Sequence, residues 1–147
     1  MKKEDQQQRI ESFVHDWPAS SSGCKESFVG LWQQLQNFAD ASVEFHARPG
    51  VTYSLRGIHR QQSNRPLFVM VDVIDDDPRW LSVCFYGQEV GDPEQRGDLV
   101  PGGLLGEDGL CFDIDGTDPS ILGYVRQRID EAYAAATGLC VPGAGGR

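Results

Sequence analysis

The carboxylates of Asp113, Asp115 and Asp118 close an apolar run, Leu110-Cys111-Phe112-Asp113-Ile114-Asp115-Gly116-Thr117-Asp118. Carboxylates at such short spacing are the raw material for holding a divalent cation or for acid–base chemistry. A calcium loop begun at Asp113 would need a bidentate Glu at its twelfth position, where this chain has Tyr124, so the spacing fails. The histidines His15, His46 and His59 stand at neither i, i+3 nor i, i+4 spacing, which leaves no helical metal face; His46 and His59 could meet only across a hairpin. The acids Asp75, Asp76 and Asp77 precede Pro78 and read as a solvated turn, not a metal site. Cys24, Cys84, Cys111 and Cys140 show no C-x-x-C spacing and are expected to be reduced, with Cys84 and Cys111 acting as small apolar residues inside strands. No Ser sits in a Gly-flanked elbow and no phosphate loop is present, so neither a catalytic residue nor a cofactor is expected.

The segment Gly109-Leu110-Cys111-Phe112-Asp113-Ile114-Asp115-Gly116-Thr117 resembles the first motif of the haloacid dehalogenase family, a hydrophobic strand ending in D-x-D-G-T. The resemblance implies Asp113 as nucleophile, Asp115 as general acid, and magnesium held by the pair with a further acid. That family places the motif near the start of a Rossmann-like domain and takes a Thr or Ser, a Lys and more acids from later strands. Here thirty residues follow Thr117, and Asp118-Pro119 opens a helix at once. A magnesium-dependent hydrolase using Asp113 and Asp115 therefore ranks third among the functions these residues admit.

The elements that must position these groups are legible from hydrophobic period. Phe28, Leu31, Trp32, Leu35 and Phe38 form one stripe of a helix over residues 25–39. Residues 43–47 read as a short strand, and 51–58 alternate Val51, Tyr53 and Leu55 with polar residues. The runs Leu67 to Val71 and Leu81 to Phe85 flank the acidic turn and predict a central β-hairpin. Residues 109–115 give a further strand. A last helix opens at Asp118 as N-cap with Pro119 behind it, buries Leu122, Val125, Ile129 and Ala132, and stops at Gly138. These elements predict an α+β fold: an antiparallel sheet of about four to six strands with its two main helices on one face. Residues 1–18 read as a helical appendage, 24–138 as the domain, and 139–147 as a disordered tail. The helix, the strand Thr52-Tyr53-Ser54-Leu55-Arg56 and the hairpin together resemble the YdhG-like small α+β domains, an uncharacterised group that has been compared with frataxin; the comparison implies iron handling on a ridge of helix acids, whereas the acids here lie in turns.

Alternation assigns Val51, Tyr53, Leu55, Leu67, Val69, Val71, Leu81, Val83, Phe85, Leu110, Phe112 and Ile114 to the helix-bearing face. It sends Arg56, Phe68, Met70, Asp72, Trp80, Tyr86 and Asp113 to the other, with Ser82, Cys84 and Cys111 among them. That second face is too apolar for open water and too charged for a core, which makes it a candidate binding groove. Residues 87–108, long and rich in Gly and Pro, are expected to be a loop lying over Trp80 and Tyr86.

Composition narrows the partners. At 147 residues and 39% apolar content the chain can build one core without metal or disulfide staples. Its formal net charge of -9 repels phosphate backbones and anionic lipid, so neither nucleic acid nor membrane is expected as a partner. No apolar stretch follows the first residues and no long apolar run occurs, which points to the cytoplasm. The expected function is a non-enzymatic module binding a small molecule or protein through its second sheet face; an acidic divalent-metal or iron-binding domain is the alternative.

Overall fold

The computed structural model describes residues 3–18 and 24–137. Two helices, α1 (Lys3–Asp16) and α2 (Cys24–Gln36), lead into six strands, β1 (Ala41–Arg48), β2 (Thr52–His59), β3 (Val69–Ile74), β4 (Trp80–Tyr86), β5 (Asp98–Leu104) and β6 (Glu107–Ile114), and helix α3 (Ile121–Ala136) closes the order. All strand pairs are antiparallel and the sheet order is β1-β2-β3-β4-β6-β5. The α+β architecture read from the sequence is therefore the observed one. The expected tail over 139–147 lies outside the described residues.

One face of the sheet carries the core. Leu55, Val69, Val71, Val73, Leu81, Val83, Phe85, Leu110, Phe112 and Ile114 meet Phe28, Leu31, Trp32 and Leu35 of α2 and Ile121, Val125, Ile129 and Ala132 of α3. The α2 stripe is buried as its period requires. Phe38, two residues beyond the helix, stacks on Tyr133 of α3 with ring centroids 4.0 Å apart. The expected appendage is instead part of this core: Ile10 and Trp17 of the first segment are buried in it, and Gln6 of α1 accepts a 2.8 Å hydrogen bond from the Phe45 amide on the outer edge of β1. A side-chain acceptor there occupies an edge amide that would otherwise be open to another strand.

Two expectations fail for local reasons. Phe68 does not reach the second face; it is fully buried in the main core against Phe38 and Tyr133. Val69 stands opposite Gly57, and the Phe68 amide also donates to the Gly57 carbonyl at 2.8 Å, so two residues of this chain segment face one of β2. Such a bulge breaks the alternation and turns Phe68 inward, sending Leu67 out. Gly57 makes room for it, since a Cβ there would come within 2.9 Å of Val69 and 3.0 Å of the Phe68 ring.

The second is the loop over 87–108, whose residues Asp98–Leu104 are strand β5. It returns to β6 through Leu105-Gly106, whose φ values of 50° and 91° are the double positive pair of a tight hairpin turn. Between Val100 and Leu104 the register shifts, with Gly102 at φ 66° donating to Asp108 Oδ1 at 2.9 Å. Gly103 is required by close approach: a Cβ would lie 2.3 Å from Val100 Cγ1. Pro101 is tolerated because β5 is an edge strand.

Candidate functional site

The second face holds Arg56, Met70, Asp72, Trp80, Tyr86 and Asp113 of the expected groove, while Phe68 is on the core side. These six are not brought to one point. At one end Met70 and Tyr86 join Leu67 and Leu104 in a small second core, with Ile58 and Cys84 packed against it. Of Leu99, Val100, Leu104 and Leu105 in the 87–108 segment, Leu104 alone is buried; the other three are exposed. Arg65 lies over the Tyr86 ring at 4.6 Å and pairs with Glu89 at 3.0 Å and Glu107 at 2.9 Å, tying together the β2–β3 connection, the segment after β4 and the start of β6. Burial pushes the Glu89 carboxyl up, and the hydrogen bond from Arg65 only partly opposes it.

At the other end the face is polar. Asp72 stands opposite Ser54 on β2 and Ser82 on β4. Burial raises its carboxyl, against a hydrogen bond from Ser54 and the charges of Arg56 and Arg48, and its Oδ1 is buried with no hydrogen-bond partner. Trp80 donates its indole N–H to Asp76 at 3.3 Å, and the Asp75 carboxylate takes Arg79 at 2.8 Å, so the acidic turn is held by its own neighbours.

The three carboxylates at the end of β6 are spent separately. Asp113 is exposed, raised by what burial it has and by Asp98 and Asp115. Asp115 accepts the Thr117 hydroxyl at 2.6 Å and its amide at 2.9 Å, which hold it low. Asp118 accepts the Ser120 amide and hydroxyl and pairs with Arg96, so it works as a turn acceptor two residues ahead of the N-cap, which is Ser120. Among the described residues no group of three His, Cys, Asp or Glu side chains converges as a metal ion would need. His46 lies opposite Ser54 and His59 opposite Ala41, so the two do not meet; His46 pairs with Glu44, and His59 is buried against Tyr133.

The cysteine expectation is overturned by register. Cys84 of β4 and Cys111 of β6 stand directly opposite, with Cα atoms 4.1 Å apart, and form a disulfide. The sequence places them 27 residues apart, and only the β4–β6 pairing brings them together.

A recess that the sequence did not announce lies between α1 and the edge of the sheet. Phe13 contacts Tyr53 at 4.5 Å, Phe45 at 5.3 Å and Trp17 at 5.3 Å between ring centroids. Phe13, Phe45 and Tyr53 line a cleft of about 600 Å³ together with Asp5, Arg9, Ser12 and Asp16. On Phe13 and Tyr53 also sits the guanidinium of Arg79, 5.3 and 5.2 Å from their rings and 5.2 Å from that of Trp17. Aromatic faces carry negative potential, so three rings around one cation form a cage, which Asp75 completes. The i, i+4 spacing of Phe13 and Trp17 was the available signal. Nothing in the chain near either residue points to Tyr53 or Arg79.

No family model matches the sequence, and no curated protein or solved structure does either.

Proposed function

We propose that the protein is a non-catalytic binding module whose α1–sheet cleft takes up a guanidinium or ammonium group on an apolar stem, carried by a small ligand or by a protein partner. The supporting observation is the Arg79 cage: Phe13 and Tyr53, two of the three rings lining the cleft, already hold one guanidinium at cation–π distance. Asp5 and Asp16 at the cleft add negative charge, and the net charge of -9 steers cations toward the molecule. Arg9, 5.6 Å above the Phe45 ring, shows that the third ring of the cleft also takes a guanidinium. The cleft's size falls in the range of ordinary ligand sites, about 300 to 1,000 Å³. The function expected from sequence is kept in this reading; its site moves from the second sheet face to α1.

A cytoplasmic location goes with this reading. Among the described residues no helix is long and apolar enough to cross a membrane. Such a location requires a Cys84–Cys111 bond that a reducing compartment can open.

Calorimetric titration with agmatine and with a short arginine-containing peptide, each at low and high salt, tests the site. Binding that weakens with salt and drops several-fold in the Asp5→Asn, Asp16→Asn double variant is expected. Agmatine binding identifies a small-ligand site, and peptide binding alone a protein partner. Binding by neither probe, or binding indifferent to the double variant, overturns the proposal.

A further inference from the structure

We propose that Cys84 and Cys111 are a reversible redox pair, a thiol–disulfide exchange site for a low-molecular-weight thiol of the glutathione class. The first argument is register. Directly opposed residues of an antiparallel pair that do not exchange hydrogen bonds hold their Cα atoms about 4.5 Å apart whether or not a bond joins the side chains, so the ladder brings the sulfurs together in either redox state. Gly87 donates to Asp108 at 3.0 Å, and alternation from that bonded pair makes Cys84 and Cys111 a non-bonded one.

The second argument is that the fold does not depend on the bond. Cys84 lies between β3 and β6, Cys111 between β4 and β5, and every one of those pairings is held by its own backbone ladder. The third is access: both residues are half-buried on the face that no helix among the described residues covers, whereas Cys24 is fully buried with its thiol donating to the Ile114 carbonyl.

The chemistry is two consecutive exchanges. A glutathione thiolate attacks one sulfur of the pair, forming a mixed disulfide and expelling the other as a thiolate. A second glutathione thiolate then attacks the glutathione sulfur of that mixed disulfide and releases the remaining cysteine as thiolate. In sum, two glutathione thiols become one glutathione disulfide while the protein disulfide takes up two electrons and two protons. The surroundings differ between the sulfurs. The Ser82 hydroxyl lies 3.6 Å from Cys84 Sγ, within reach to donate to a thiolate there. Cys111 has Asp98 directly opposite it and Asp113 two residues along the same face, and both repel negative charge. The leaving thiolate is therefore Cys84, and glutathione attaches at Cys111.

The full chain, equilibrated in graded mixtures of reduced and oxidised glutathione, quenched in acid, alkylated and mapped by peptide mass spectrometry, tests both statements. The expected result is that residues 84 and 111 pass together from disulfide to alkylated thiol within the span of poises between secretory and cytosolic compartments, with the far-ultraviolet circular dichroism unchanged. When the disulfide form is mixed with reduced glutathione and quenched in acid at early times, the mixed disulfide is expected on Cys111 at several times its occupancy on Cys84. A pair that stays bonded at the most reducing cytosolic poise is a structural staple, and one that stays reduced at the most oxidising poise forms no bond; either overturns the proposal, as does loss of the fold on reduction. Equal early occupancy of the two residues, or an excess on Cys84, overturns the assignment of the attacked sulfur.

Discussion

The two faces of the sheet are built from the same six strands and differ in almost everything else. The helix-bearing face buries an unbroken layer of Val, Leu and Phe, with three helices supplying the other half of the contact. Among the described residues no helix lies on the opposite face, which has a four-residue apolar cluster at one end and serines, acids and arginines at the other. The contrast teaches that alternation along a strand guarantees two different surfaces but leaves open what covers the second one. Here the chain covers a corner of it with the Leu104 end of the β5–β6 hairpin and locks another part with a disulfide.

Mutations measure how unequal the faces are. Leu35→Ala removes a fully buried side chain between α2 and the sheet, and denaturant unfolding is expected to show a loss of about 2 to 5 kcal/mol. A loss below about 0.5 kcal/mol would mean that this layer is not the core. Leu104→Ala cuts an equally buried leucine out of the small cluster, but from a layer one side chain thick beside solvent. The expected loss is about 1 to 2 kcal/mol, since an open rim collapses around the gap more easily than a closed core. A cost equal to that of Leu35 would erase the distinction between the faces.

The smallest effect concerns charge. Asp72 is a carboxylate whose folded-state pKa is raised above the ordinary 3.8, first by burial, so its ionisation costs folding stability. That cost is absent below the unfolded value, grows as pH climbs through the interval up to the raised folded value, and stays constant beyond it. Asp72→Asn keeps an acceptor for Ser54 and has no such cost. It should match the wild type near pH 3 and exceed it by less than about 1 kcal/mol at pH 7. A variant less stable than the wild type at pH 7 would show that attraction to Arg56 and Arg48 outweighs the burial.

The fold was legible wherever the chain carries its own period. The α2 stripe, the alternation of β2 and the two apolar runs around Asp75 to Asp77 each declare an element within a short window. Strand β5 declared nothing, because Pro101, Gly102 and Gly103 break any period, and because its hairpin turn uses Leu105 at a positive φ, where leucine is not a turn signal. Most of the second face was read correctly as a set of positions, yet one bulge at Gly57 moved Phe68 across the sheet. Alternation carries no record of a bulge until the partner strand is known.

The sequence by itself therefore determined the class of the fold, the core layer and the acidity of the surface, all properties of local pattern and composition. The tertiary structure decided the rest: that Cys84 faces Cys111, that Asp115 and Asp118 turn to separate partners, and that Phe13, Trp17 and Tyr53 close around Arg79. Each of these turns on residues distant in the chain or on which way a turn points its side chains. Strand register and helix docking set such meetings, and no periodicity within a window encodes them.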